Sequence, residues 1–217
     1  MKLNPGEGAF LISLARKATS QYLESGEVID VPKDTPKKFL RKSGVFVTLS
    51  KQRQGKAELR GCIGYPTPST QLVQAVIECA ISSATQDYRF PPVALQELES
   101  ILFEISVLTP PILIDVSNPL QIPSEIKVGK DGLIIEKGLH KGLLLPQVPV
   151  EHNWGEEEFL CQCCLKAGLS PDTWLMRGTE VSKFSCVMAK ENEPSGLVTV
   201  TDMRAESNPS THLDSKS

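Results

Sequence analysis

The apolar positions of this chain change period several times, and each change marks an element. Between residues 5 and 25, Leu11, Ala15, Ala18 and Tyr22 recur at helical spacing, which predicts a first helix with one apolar face. Asn4-Pro5 supplies an N-cap with proline in the first turn, and Gly26 supplies a stop. Residues 27–42 are polar and broken by Pro32 and Pro36, an extended connector. Residues 44–49 are rich in Val and Phe and predict a strand. A polar turn over 52–56, containing Gly55, leads to a second strand over 57–63 that pairs with the first. Thr67-Pro68 repeats the cap-and-proline signal ahead of Leu72, Val76, Ile77 and Ala80, a helical stripe that runs to Thr85. Asp87-Tyr88-Arg89-Phe90-Pro91-Pro92 cannot be regular, and its aromatic pair and close ion pair predict a compact, packed loop. Residues 94–99 read as a short helical turn. Phe103, Ile105 and Val107 alternate in a strand over 102–108.

The second half is shorter in its periods. Residues 110–123 are proline-interrupted and mark the boundary between two lobes. Residues 126–128 and 133–136 flank Gly129-Lys130-Asp131-Gly132, which predicts a hairpin of the Asp-Gly kind, and 139–145 predict one more short strand. Asn153-Trp154-Gly155-Glu156 has capping-box spacing, with three glutamates in the first turn. Leu160, Cys163, Cys164 and Ala167 form the buried stripe of that helix, and Gly168 ends it. Residues 181–188 read as a strand. Residues 191–217 read as a weakly ordered tail with a brief strand at 197–200. Parallel βαβ units are not evident. The expected fold is therefore α+β: a mainly antiparallel sheet with flanking helices, in a larger and a smaller subdomain around a cleft.

Composition narrows the function more than the fold. The net charge of −3, from 23 basic and 26 acidic residues, leaves no electrostatic footprint for general nucleic-acid binding. The basic run of Lys33, Lys37, Lys38, Arg41 and Lys42 reads as a solvated face or loop. The sequence has neither a signal-peptide pattern nor an apolar run long enough to span a membrane, so a cytoplasmic protein with reduced thiols is expected. Cys161 and Cys164 form a C-x-x-C with no second ligand pair, so these thiols read as packing groups and no metal site is expected. The phosphate-cradling and zinc-protease motifs are missing, and no cofactor is evident.

Candidate chemistry centres on Leu59-Arg60-Gly61-Cys62-Ile63-Gly64. On a regular strand Arg60 and Cys62 share one face, and a guanidinium beside a thiol lowers the thiol pKa. The competing reading makes Cys62 a small core residue and Arg60 a surface one. LRGCIG, the Asp87–Pro92 hexapeptide, GKDGL at 129–133, LLPQV at 144–148, and Trp154 with KAGL at 166–169 together resemble the AMME chromosomal region protein family. The resemblance runs over residues 5–191. It implies two subdomains with a cleft between them, and Memo-type or radical-SAM proteins as partners. It implies no particular reaction.

Arg60 and Arg89 are candidate anion clamps, because the guanidinium fork pairs with carboxylate or phosphate. Arg89 is equally readable as the ion-pair partner of Asp87. Gln147 follows a strand end and is expected to turn into the cleft with Arg60, Cys62 and Arg89. Glu151 is a candidate acid or base, and Trp154 is either a stacking wall or core. His140, His152 and His212 read as surface residues. Three functions compete. The first is an enzyme acting on a small anionic or acyl substrate, with Cys62 as the reactive thiol. The second is a ligand- or protein-binding module without turnover. The third, disfavoured by charge, is nucleotide or RNA binding.

Overall fold

The computed structural model describes residues 1–53 and 56–205, apart from the side chains of Arg53 and Lys56; the turn expected at Gly55 is centred outside that set, and His212 lies outside it. Helix α1 (Pro5–Ser25) begins as its sequence dictates. The Asn4 side chain accepts from the Glu7 N–H at 2.9 Å and the Glu7 carboxylate accepts from the Asn4 N–H at 2.8 Å. Such a cap contributes about 1 kcal/mol. Gly26 closes the helix in the left-handed conformation, at φ 75°. After α1 come strands β1 (Val45–Arg53) and β2 (Lys56–Tyr65), helix α2 (Leu72–Thr85), and strands β3 (Ile101–Leu108) and β4 (Ile112–Leu113). Strands β5 (Gly132–Lys137) and β6 (His140–Leu144) precede helices α3 (Gln147–Glu151) and α4 (Glu156–Lys166). Strands β7 (Glu180–Phe184), β8 (Cys186–Glu191) and β9 (Val198–Asp202) complete the order.

The strands form two antiparallel sheets, β2-β1-β3-β8-β9 and β4-β7-β5-β6, so the fold is α+β. Period-2 alternation decides what each face of β1 does. Val45, Val47 and Leu49 are fully buried against α1 and α2, in a core that also holds Phe39, Ile77, Phe103 and Ile105. Phe46, Thr48 and Ser50 point the other way. A second core joins α4 to the smaller sheet through Phe159, Leu160, Cys163, Leu133 and Ile135. A third cluster, Leu108, Ile134, Leu145, Phe184 and Cys186, seals the sheets to each other. At that seam the chain passes from sheet to sheet at Thr109 and again at Ser185. The Thr109 N–H donates to the Ser185 carbonyl at 2.8 Å, and the Ser185 N–H donates to the Thr109 hydroxyl at 2.9 Å.

One buried ion pair ties α1 to the larger sheet. Glu191, 1% exposed at the end of β8, accepts from Arg16 Nε at 2.5 Å, from Arg16 Nη2 at 2.7 Å and from the Phe103 N–H at 2.8 Å. Arg16 also donates to the Leu98 and Ile101 carbonyls.

Several local expectations are overturned. Thr67 does not cap α2, whose N-cap is Gln71 with no side-chain hydrogen bond. Asn153 does not cap α4 either. It adopts φ 54°, a left-handed conformation that asparagine tolerates, and turns the chain from α3 toward an N-cap at Gly155. Residues 126–131 form no strand. The Asp131 carboxylate accepts from the Lys127 N–H at 2.9 Å and closes a local turn, while the hairpin falls at Gly138, φ 60°, between β5 and β6. The strand expected over 181–188 is divided at the Ser185 crossing. The brief strand expected at 197–200 is present as β9, which pairs with β8 as the fifth strand of the larger sheet, so residues 191–205 are more ordered than a loose tail.

Candidate functional site

The hexapeptide at 59–64 lies on β2, but its faces are not those of a regular strand. Leu49 is opposite Gly61 while Ser50 is opposite Leu59, so Arg60 is an extra residue in a β-bulge. The bulge exchanges faces. Leu59 and Cys62 both look away from the helices, and Arg60 does not share their face. Its guanidinium turns to the helix side, where Nε donates to Glu97 at 2.7 Å, Nη2 to the same carboxylate at 3.1 Å, and Nη1 to the Pro91 carbonyl at 2.9 Å. The expected Arg60/Cys62 face is thereby corrected, and with it Arg60 as an anion clamp.

Gly61 is required where it is. A Cβ there would collide with the Ser83 carbonyl of α2, which approaches the strand at this point. The same helix end satisfies the free edge of β2. The Ile63 N–H donates to Ser83 Oγ at 2.9 Å, and the Cys62 N–H donates to Asp87 Oδ2 at 2.8 Å. Asp87 is buried and grips Arg89 with both oxygens, Oδ1 from Nε at 2.9 Å and Oδ2 from Nη2 at 2.6 Å. These bonds hold the Asp87 carboxyl down at about 2. Asp87 thus acts as a clamp on the loop. Arg89 keeps its remaining surface, about a third of the side chain, toward solvent and a cleft.

That cleft, about 440 Å³, opens between the two sheets. Its floor is a row of residues side by side on four strands: Cys62 on β2, Thr48 on β1, Glu104 on β3 and Lys190 on β8. Thr48 Oγ1 donates to Cys62 Sγ at 3.3 Å, and Lys190 Nζ lies 3.5 Å from Glu104 Oε2. From the opposite wall Gln147 Nε2 donates to Glu104 Oε1 at 3.1 Å. The other amide atom, Gln147 Oε1, is buried and has no hydrogen-bond partner among the described residues. Phe46, Leu59, Leu143 and Leu145 make the apolar walls, and Glu151, His152 and Lys166 stand at the cleft as well.

The electrostatics reverse one expectation. Burial pushes the Cys62 thiol up, and the hydrogen bond from Thr48 and the charge of Arg89 offset this only in part; Glu104 and Asp87 push it further up. The shift favours the neutral thiol, in line with the competing reading of Cys62 as a small packed residue, over the thiolate that an adjacent Arg60 would favour. Burial also raises the Glu104 carboxyl, against the pull of Lys190. Of the residues expected at the site, Cys62, Arg89, Gln147 and Glu151 meet in the cleft. Arg60 and Asp87 support it from behind. Trp154 packs on the second core and stacks on His152, centroids 4.6 Å apart. Sequence reasoning missed Thr48, Glu104, Lys166 and Lys190. Glu104 did leave a signal, as the one charge in the apolar strand Ile101–Leu108. Among the described residues no cluster of His, Cys, Asp and Glu is arranged to hold a metal ion, and no helix is long and apolar enough to cross a membrane.

The AMMECR1 family model matches residues 12–189. The chain belongs to the AMMECR1 family. A protein of Pyrococcus abyssi is 52% identical over 198 residues, which cover 91% of this chain and 96% of that protein. A protein of Methanopyrus kandleri is 48% identical over 206 residues, 94% of this chain and 98% of its own. The crystal structure of uncharacterized protein PH0010 from Pyrococcus horikoshii is similar at TM-score 0.89 and 51% identity, over 93% of this chain and all of that one. The AMMECR1 hexapeptide is thus a bulged edge strand that aims its thiol into a cleft and its arginine out of it.

Proposed function

We infer that the cleft between the sheets binds a small molecule carrying an anionic group and, at its other end, an N–H donor. The row Cys62-Thr48-Glu104-Lys190 carries this reading. It sets four polar side chains across the floor of a cleft walled in part by Phe46, Leu59, Leu143 and Leu145, where a polar group without a partner is costly. Arg89 stands beside Cys62. Glu104 is two strand spacings away, about 10 Å. An anion at Arg89 and a donor at Glu104 and the free Gln147 oxygen fit a short, bifunctional ligand. Six free cysteines support a reducing cytoplasm as its compartment. A module of this kind would hold its ligand for a partner, and the Memo-type and radical-SAM proteins that the resemblance implies are the first to test.

A second reading is favoured by Glu104 itself. A carboxyl raised by burial is suited to general acid–base work, with Cys62 as a nucleophile formed only when a base takes its proton. One experiment separates the two. Succinamate, which carries a carboxylate and a primary amide, is titrated against iodoacetamide labelling of Cys62 in wild type, Gln147→Ala and Glu104→Gln. The binding reading expects succinamate to protect Cys62 in wild type and to protect it less in both variants. It also expects the wild-type thiol to react with an apparent pKa above the free value of about 8.5. Glu104→Gln should lower that pKa and speed labelling at pH 7, because a negative charge is removed. Slower labelling in Glu104→Gln would favour the general-base reading. Protection by succinamate that is equal in all three proteins would sink the ligand assignment.

A further inference from the structure

On the larger lobe, away from the cleft, Lys2, Lys38, Arg41 and Lys42 line a separate pocket of about 370 Å³. Among the described residues no carboxylate lines it. Glu7 reaches Lys38 at 2.5 Å, but it does so from α1, and among the described residues neither Arg41 nor Lys42 has an ion-pair partner. In a chain of net charge −3 this grouping is not a consequence of general basicity. The basic run read from the sequence as a solvated face is therefore folded around a concavity.

The pocket is built, not only charged. The Arg41 carbonyl accepts from the Leu72 N–H at 3.0 Å, and Lys42 bridges to Gln71, so the start of α2 anchors the backbone that carries both cations. Lys38 Nζ donates to the Lys2 carbonyl at 2.9 Å, which holds the opposite rim. Leu108 and Gly44 lie at the base, where the Leu108 N–H donates to the Gly44 carbonyl at 2.9 Å, and Pro66 and Pro110 stand at the sides. A Cβ on Gly44 would meet the Pro66 carbonyl oxygen, so the two backbone segments approach closely on that side.

We propose that this pocket is a second binding site, for a compact polyanion such as a diphosphate group on a small molecule. A planar guanidinium takes two oxygens of one phosphate, and mobile ammonium groups complete the neutralisation. The concave shape admits a compact group, whereas an extended nucleic acid needs a basic track that the acidic remainder of the surface does not supply. This site stands independently of the reading of the cleft.

The test is calorimetric titration of inorganic pyrophosphate into the full chain, with sodium chloride matched for ionic strength as the control. One site per chain is expected, weakened roughly tenfold by Arg41→Ala and again by Lys42→Ala, in line with the loss of one charge-assisted bond each. Both positions are exposed, so the variants should keep the wild-type unfolding midpoint. Glu104→Gln, in the cleft, should bind pyrophosphate as wild type does. No saturable binding, or binding unchanged in Arg41→Ala and Lys42→Ala, would overturn the proposal. So would a short oligodeoxythymidylate that binds these residues and is not displaced by pyrophosphate.

Discussion

Asp87→Asn tests how the loop that carries Arg89 is held. The carboxylate accepts from the Cys62 N–H of β2 and from Arg89 at both oxygens, in the loop that follows α2. Asparagine keeps the shape and loses the charge. Its cost follows from linkage. The carboxyl falls from the ordinary 3.8 to about 2 in the folded protein. A shift of that size, at 1.36 kcal/mol per unit, corresponds to about 2.5 kcal/mol favouring the ionised form, and screening through the part-exposed Arg89 brings this to about 2 kcal/mol. The sign is that of a depressed carboxyl. The stabilisation is complete above pH 4 and is lost as pH falls toward 2, with about half gone by pH 3. Urea unfolding of both proteins at pH 7, 5, 4 and 3 should show a gap of about 2 kcal/mol at the first two values that narrows toward pH 3. A gap that stays constant over this range, or that is absent at pH 7, refutes the argument that Asp87 works through its charge.

Gly61→Ala should destabilise the fold by about 2 kcal/mol or more, because the new methyl meets the Ser83 backbone and not a side chain that can swing away. An unchanged urea midpoint would show that α2 can retreat at no cost. Glu191→Gln should cost about 3 kcal/mol by leaving Arg16 without its buried partner, again read from urea unfolding at pH 7. A loss within about 0.5 kcal/mol would place this pair with ordinary surface bridges.

Much of the fold was legible because the local and global signals agree. Asn4, Pro5, Glu7 and Gly26 bracket α1, and the alternation of Phe103, Ile105 and Val107 places a strand with its inner face in the core. The errors have a common origin: a short motif was read without the chain that competes for it. Asn153 has capping chemistry, but the turn out of α3 takes it for a left-handed position. Asp131-Gly132 has hairpin chemistry, but the Asp131 side chain is spent on Lys127. The site was half legible. Cys62, Arg89, Gln147 and Glu151 were expected and do meet. Thr48, Glu104 and Lys190 come from three other strands, and only the pairing of β1, β3 and β8 sets them in a row with Cys62. The Arg60/Cys62 face failed because period-2 reasoning assumes an unbroken ladder.

The extra residue at position 60 also constrains how the hairpin assembles. A strand that slides by one position against its neighbour turns every side chain over, and edge strands such as β2 are the most prone to it. Here a slide by one would bring Arg60 or Cys62 under α2 in place of Gly61, and even a Cβ there meets the Ser83 carbonyl. The observed alignment is one in which a side-chain-free position sits beneath Ser83. The hexapeptide therefore serves as an alignment key for the whole lobe. Close docking of the helix and the pairing of the strands depend on each other, and the orientation of Cys62 goes with that alignment.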